Sequence, residues 1–311
     1  MKKICIVGAG AIGGFLGTRL AAAGHSVSAL ARGATLQALR TQGWRLKTAQ
    51  GQIQAPAHAH SDAQLLGPQD LVVIAVKGPA LSEVAQALGP LLGPKTVVMP
   101  AMNGVPWWFC AGRAGFGPSL QSVDPGGAIA SAIGMERVMG CVVHAGTFTP
   151  EPGLVQHRMG QGLLIGEPRG GVSERVQQAT ALMASAGFEA VAIANIRYDI
   201  WYKLWGNLTM NPVSALTGAT ADRILADPLV RAFCSAAMVE AQAVGERLGC
   251  PIEQSPEDRH AITARLGAFK TSMLQDVEAG RPIELDAIVG AVCEIAQVLG
   301  LATPHIDALM G

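Results

Sequence analysis

A doubly wound α/β domain followed by an all-helical domain is the architecture this sequence predicts, and three observations carry it. A strand-like run at the N-terminus breaks into Gly-x-Gly-x-x-Gly and continues into a helical pattern. Apolar strand-like runs then alternate with helical stretches as far as residue 194. Beyond that point only helical periodicity remains. The chain has 311 residues, enough for two domains. The change of pattern sets them at 1–194 and 195–311.

The first strand is the apolar run at residues 2–7, and the helix begins near Phe15. Gly8 lets the chain turn sharply out of the strand. Gly10 brings no side chain between the backbone and a pyrophosphate. Gly13 lets the helix lie close on the strand. The free N–H groups and the positive dipole end of the helix then face phosphate. Position after a strand and before a helix is the context this motif needs. Gly8, Gly10, Ala11, Ile12 and Gly13 are therefore the candidate cofactor-binding residues of a Rossmann-type dinucleotide site.

Residues 25–31 read as the second strand, with Val27, Ala29 and Leu30 apolar. In NAD-binding folds a carboxylate near the end of this strand accepts hydrogen bonds from the adenosine ribose. No acid stands there, and the first acidic residue of the chain is Asp62. Arg32 occupies the place, followed by Gly33. A guanidinium can grip a 2′-phosphate through several charge-assisted hydrogen bonds. The expected cofactor is therefore NADP(H).

Residues 71–76 form a continuous apolar run, as a strand buried on both faces does, and 96–99 form another. Residues 141–149, 162–165 and 189–194 complete the strands, with a helix at 173–186 ended by Gly187. These predict one doubly wound sheet with an extended edge. In the second domain, 198–208, 228–248, 256–279 and 285–299 read as helices. Gly249, Gly280 and Gly300 follow as C-terminal caps. No internal repeat interrupts the pattern.

Lys plus Arg and Asp plus Glu both total 23, so the net charge is zero. That balance argues against nucleic acid or an anionic membrane as the main partner. Charged residues make up only 15% of the chain, which is compatible with a homodimer interface. The six cysteines are scattered without a Cys-x-x-Cys pair, as reduced thiols of a cytoplasmic protein are. The chain opens on a strand pattern, not a secretory leader. No apolar run reaches the length of a membrane span. His58 and His60 lack the neighbours a metal site needs, so no metal is expected. His144 sits in an apolar strand, where a histidine is more often structural than catalytic.

On a helix, Lys203, Asn207 and Asn211 fall within about 80° of one another. Trp201, Leu204, Trp205, Leu208 and Met210 surround them in sequence. The stripe is either a solvated face or a site. Two asparagines at the phase of the lysine favour the site, because asparagine is a poor helix-interior residue. Glu284 and Asp286 open the last predicted long helix, where carboxylates also serve as caps. Ser272 lies on the helix before.

These pieces together resemble the ketopantoate reductase (2-dehydropantoate 2-reductase) family. The resemblance runs nearly end to end. It includes the glycine motif, Arg32-Gly33, Val76-Lys77, Asn103-Gly104, the Lys203-x-x-x-Asn207-x-x-x-Asn211-Pro212 stretch and the segment 272–286. It implies an NADP-binding Rossmann domain, a helical C-terminal domain and reduction of a small 2-keto acid substrate, ketopantoate, to pantoate. It also implies that Lys203 is the catalytic general acid and that Glu284 holds the substrate hydroxyl. Asn207, Asn211 and Ser272 match substrate-binding positions. Lys77 and Asn103 match residues lining the cofactor and substrate cleft.

The chemistry agrees with that implication. Hydride addition to a 2-keto acid develops negative charge on oxygen. A protonated lysine stabilises that charge and supplies the proton. After Asn103-Gly104 comes Val105-Pro106-Trp107-Trp108-Phe109, more aromatic than is typical of the family. The two tryptophans either shape a pocket for a bulkier 2-keto acid or imine, or pack in a core or interface. A non-catalytic NADP-sensing module on the same fold is the reading of a different class. The intact set of Lys203, Asn207, Asn211 and Glu284 speaks against it.

Overall fold

The computed structural model describes residues 1–311. Contacts divide the chain into two compact units. The first comprises Met1–Val76, Ala80–Met102 and Ala128–Ile196. The second comprises Lys77–Pro79, Asn103–Gly127 and Arg197–Gly311.

The first unit opens with β1 (Lys3–Val7), α1 (Ala11–Ala22), β2 (Ser26–Leu30) and α2 (Gly33–Gln42). There follow β3 (Trp44–Thr48), β4 (Gly51–Ala55), β5 (His58–His60), β6 (Gln69–Ile74), α3 (Leu81–Ala87) and β7 (Leu92–Pro100). Its later stretch holds α4 (Ala128–Ile133), β8 (Gly140–Glu151), β9 (Leu154–Gly166), α5 (Glu174–Ser185) and β10 (Glu189–Ile193). Strands β5-β2-β1-β6-β7 make a wholly parallel sheet in that order. Its central strands β1 and β6 are buried on both faces, which is why they read as unbroken apolar runs.

The expected extended edge is instead a second sheet, ordered β10-β9-β3-β4, with β8 antiparallel to β9. The predicted strands 141–149 and 162–165 are the arms of one long hairpin. The pair β3–β4 is absent from the sequence expectation: each strand is only five residues long, although Trp44 and Leu46 alternate with Arg45 and Lys47 and point into the core.

Helix α1 is the layer that the two sheets share. A Cβ at Gly13 would overlap the Gly8 carbonyl oxygen of the β1 turn. On its other side a Cβ at Gly14 would lie 2.6 Å from Val155 of β9, and one at Gly17 would lie 2.5 Å from the Trp44 ring of β3. Phe15, Leu16 and Leu20 fill the remaining space and are fully buried.

The second unit is helical, with α6 (Ile196–Thr217), whose first residue belongs to the first unit, then α7 (Ala221–Ala226) and α8 (Pro228–Arg247). They are followed by α9 (Pro256–Ala264), α10 (Ser272–Glu278), α11 (Ala291–Leu299) and α12 (Pro304–Met310). Tryptophans on α6 lock it to α8: Trp201 Nε1 donates to the Ala241 carbonyl at 3.2 Å and Trp205 Nε1 to the Met238 carbonyl at 2.9 Å. Asp227 starts α8 by accepting from the N–H groups of Leu229 and Val230 at 2.9 and 3.1 Å. Gly249, Gly280 and Gly300 all take positive φ after a helix.

Three predicted helices differ in detail, the first because the stretch 198–208 runs on through Asn211 and Pro212 as α6, Ile196–Thr217. The stretch 256–279 is broken into α9 and α10, because Gly267 takes φ +61° and Thr271 caps a fresh start by accepting from Leu274 N–H. The stretch 285–299 opens as a π turn, Asp286–Gly290, before α11 begins.

Gly17→Ala is expected to lower stability by about 1–3 kcal/mol, because the added methyl meets an indole that cannot retreat from the core. Urea denaturation checks this. An unchanged midpoint would mean that the Trp44 ring gives way freely.

Candidate active site

The glycine turn is shaped for an anion. Gly8 takes φ +87°, and its pro-side-chain direction is closed by Val76, 2.6 Å from where a Cβ would sit. At Gly10 the same direction is open space. Gly10 is also the N-cap of α1, with no side chain capping the helix and no acid in its first turn. The twelve-residue helix thus starts with backbone donors that no side chain caps. Gly8, Gly10, Ala11, Ile12 and Gly13 fit a pyrophosphate there on steric and electrostatic grounds.

Arg32 lies just beyond β2 and caps α2, beside Gly33 at φ +55°. Its Nη1 sits 2.5 Å from Glu83 Oε1, with both side chains largely exposed. The sequence reading found no acid near this strand end. The fold supplies one from α3, 51 positions further along the chain. An ion pair so exposed is weak, so a phosphate can replace the carboxylate at little cost.

In the helical unit a chain of polar contacts joins four predicted residues. Lys203 Nζ, from α6, donates to Asn103 Oδ1 at 2.9 Å. The Asn103 side chain is in turn hydrogen-bonded to Glu284. Glu284 Oε1 also accepts from the Gly78 N–H at 3.4 Å. Lys77, next to Gly78, forms an ion pair with Asp276 and reaches the Pro282 carbonyl at 3.5 Å. Burial pushes the Glu284 carboxyl above the usual glutamate range. The Lys77 charge, the Gly78 N–H and the Asn103 amide pull it back, while Asp276 pushes it further up.

The local chain explains why these groups are presented so. Gly104 takes φ +80° and passes so close to Ala287 that a Cβ would lie 2.5 Å from its carbonyl oxygen. The same carbonyl, in the π turn, accepts the Val105 N–H at 2.7 Å. Asn103 is thereby fixed beside the segment that carries Glu284. That segment, 281–284, has no regular structure, and the Glu284 carbonyl accepts the Ile288 N–H at 3.1 Å, so Glu284 stands at the cap of the turn that follows.

Asn207 and Asn211 share the Lys203 face of α6 but stand outside this chain of bonds. Asn211 is 5% exposed, and its Nδ2 is buried without an acceptor. Such a donor is costly to leave unpaired and suits a bound anion. Ser272 is exposed at the start of α10, also outside the chain. Trp107 and Trp108 are each 1% exposed, and Phe109 beside them stacks on Trp201 at 5.8 Å between centroids. These aromatics are core. His144 is exposed on β8. His58 and His60 face each other at 4.8 Å, and no group of three or more metal-ligating side chains is present.

Sequence reasoning missed Gly78, Asp276 and Arg281. Nothing local marks Asp276, whose partner Lys77 lies 199 positions away. Arg281 was visible only as part of the motif around Glu284.

The family model described as "Ketopantoate reductase PanE/ApbA" matches residues 4–170, and "Ketopantoate reductase PanE/ApbA C terminal" matches 195–311. The chain belongs to the ketopantoate reductase family. A 2-dehydropantoate 2-reductase of Mesorhizobium japonicum is 46% identical, across 99% of this chain and 95% of the relative. A crystal structure from Ralstonia solanacearum MolK2, assigned as a ketopantoate reductase, is 55% identical with a TM-score of 0.96. It covers 100% of this chain and 96% of its own. The 2-dehydropantoate 2-reductase structure from Methylococcus capsulatus is 29% identical with a TM-score of 0.83, covering 99% and 94%. The two family models meet this ketopantoate reductase family member in its α/β and helical parts respectively.

The raised Glu284 carboxyl has a consequence for stability. The folded chain holds that proton more tightly than the unfolded chain. Its contribution is therefore fully present below the usual glutamate range and is lost as pH rises through the folded value. Glu284→Gln cannot ionise and escapes that loss. Calorimetry is expected to show a higher melting temperature than the parent at pH 8 and no difference at pH 4, with each kcal/mol relieved worth about 2–4 °C. Equal melting temperatures at pH 8 would count against a raised carboxyl.

Proposed function

We propose that this protein reduces ketopantoate to pantoate with NADPH, with Lys203 as the general acid. The observation that carries the reading is the bonded series Lys203–Asn103–Glu284, on the face of α6 that also bears the unpaired Asn211 donor. NADPH supplies the hydride when bound. Every other requirement falls on the protein's own side chains.

As the substrate carbonyl gains electron density, its oxygen needs a donor. The Lys203 ammonium stabilises the developing alkoxide and passes it a proton. Asn103 holds that ammonium by its carbonyl oxygen at 2.9 Å and so limits the directions in which it points. Asn211 offers its Nδ2 to the substrate carboxylate, and Asn207, on the same face, is placed to add a second neutral contact. Neutral amides bind the anion without placing further positive charge beside Lys203. Glu284, ionised, accepts the substrate hydroxyl.

The glycine turn from Gly8 to Gly13 fits the pyrophosphate, and Arg32 exchanges Glu83 for the 2′-phosphate. Lys77 completes the cofactor side of the reading. The substrate is a small 2-keto acid. All six cysteines are free, in keeping with a reducing, cytoplasmic setting. No helix is long and apolar enough to cross a membrane.

The test is NADPH oxidation, followed by absorbance, with ketopantoate beside bulkier and aromatic 2-keto acids. Efficient turnover of ketopantoate is expected. Strong turnover of a bulky acid alone would move the protein to another substrate, and silence with NADPH still bound would favour a sensor. Lys203→Ala is expected to slow turnover by about 10²–10⁴-fold with the fold intact. A loss under tenfold would remove Lys203 as the acid. Arg32→Ala is expected to weaken NADPH by about 10–100-fold with little effect on NADH. Glu83→Gln, which frees Arg32, is expected to tighten NADPH by up to about fivefold. Equal shifts for both dinucleotides, measured by titration, would show that Arg32 does not read the 2′-phosphate.

A further inference from the structure

One buried carboxylate in the helical unit has no part in the proposed reaction. Asp276, on α10, is 6% exposed. Its Oδ2 takes Lys77 and its Oδ1 takes Arg281 Nε at 3.1 Å. The main chain repeats the tie, since Arg281 N–H donates to the Asp276 carbonyl at 2.8 Å. Arg281 Nη2 adds a bond to the Gln275 carbonyl at 3.4 Å. A carboxylate this deep is costly without partners, and here each oxygen has a cation of its own.

We propose that Asp276 is a positioning residue for Glu284: it holds Lys77 beside Glu284 without letting that charge close on it, and it pins the turn that delivers Glu284 to Asn103. The proposal rests on the reading of Glu284 as the acceptor of the substrate hydroxyl. The geometry has two arms. Through Arg281, Asp276 fixes the chain three positions before Glu284. Through Lys77, it anchors the residue preceding Gly78, whose N–H reaches Glu284 Oε1 at 3.4 Å.

The charged groups around Glu284 come from each packed element. Lys77 comes from the 77–79 segment, Asp276 from α10 and Arg281 from the carboxylate's own loop. Lys203, on α6, stands beyond Asn103. If Asp276 loses its charge, Lys77 is freed to pair with Glu284. Both the lost repulsion and the gained attraction then favour the ionised carboxylate. Removing Lys77 instead takes the attracting charge from Glu284 and leaves Asp276 with Arg281 as its one remaining cation, so its repulsion of Glu284 grows. The two changes have opposite signs, and a merely structural role for Asp276 would not produce that opposition.

The experiment is the pH profile of kcat/KM for ketopantoate at saturating NADPH. Its acidic limb reports protonation of Glu284. Asp276→Asn is expected to move that limb to lower pH by about 1. Lys77→Met is expected to move it to higher pH by a similar amount, and Asp276→Glu to leave it in place. Should Asp276→Asn fail to fold, the double variant Lys77→Met/Asp276→Asn removes both charges of the buried pair, the milder change. Its limb is then expected below that of Lys77→Met alone. A limb that stays put or rises when Asp276 is neutralised overturns the proposal. Glu284→Gln separates the underlying reading, because it should abolish the limb. A limb that persists in Glu284→Gln overturns the Glu284 reading and the proposal together. A limb lost in Glu284→Gln but unmoved by Asp276→Asn overturns the proposal alone.

Discussion

Helix α1 is approached through its glycines on two sides, by backbone at the β1 turn and by side chains of the other sheet, and the first unit is laid out from it. Gly13 meets the β1 turn, while Gly14 and Gly17 meet β9 and β3 of the other sheet. The spacing that admits a nucleotide phosphate is thus also the spacing that stacks two sheets on one helix. Glycine is normally a poor helix residue by about 1 kcal/mol. Three glycines inside α1 are tolerated because each lets a neighbour approach to a distance that no other residue allows. The same absence of side chains leaves the start of the helix uncapped, with its donors facing outward.

The second unit answers a different constraint, that charge taken out of water must be matched. Asp276 is matched by Lys77 and Arg281, and the amide of Asn103 stands between Lys203 and Glu284. Glu284 is the exception in energy. Burial makes its charge expensive, an expense that falls on the residue proposed to accept the substrate hydroxyl. Sites of this kind commonly trade stability for chemistry.

Much of this was visible in the sequence wherever a signal was local. The glycine motif, the apolar runs of β1 and β6, and the spacing of Lys203, Asn207 and Asn211 all lie within one element. Periodicity alone finds such features. The second sheet was hidden because β3 and β4 are short and their partner β9 follows more than a hundred positions later. Glu83 beside Arg32, and Asp276 between Lys77 and Arg281, are contacts over long sequence separations. No window contains both members of such a pair. Trp107 and Trp108 were ambiguous because an indole suits a pocket wall and a core equally well, and only burial decides between them.

The π turn at Asp286–Gly290 sets how this segment can change length over time. Its wide winding leaves the Ala287 carbonyl directed at Val105, the bond that fixes Asn103 beside Glu284. Deleting one residue there would restore regular α winding and rotate what precedes it by about 100° relative to α11. Ala287 would turn away from Val105, and Glu284 would leave Asn103. Insertions and deletions near residue 286 therefore disturb the placing of Asn103 beside Glu284 directly.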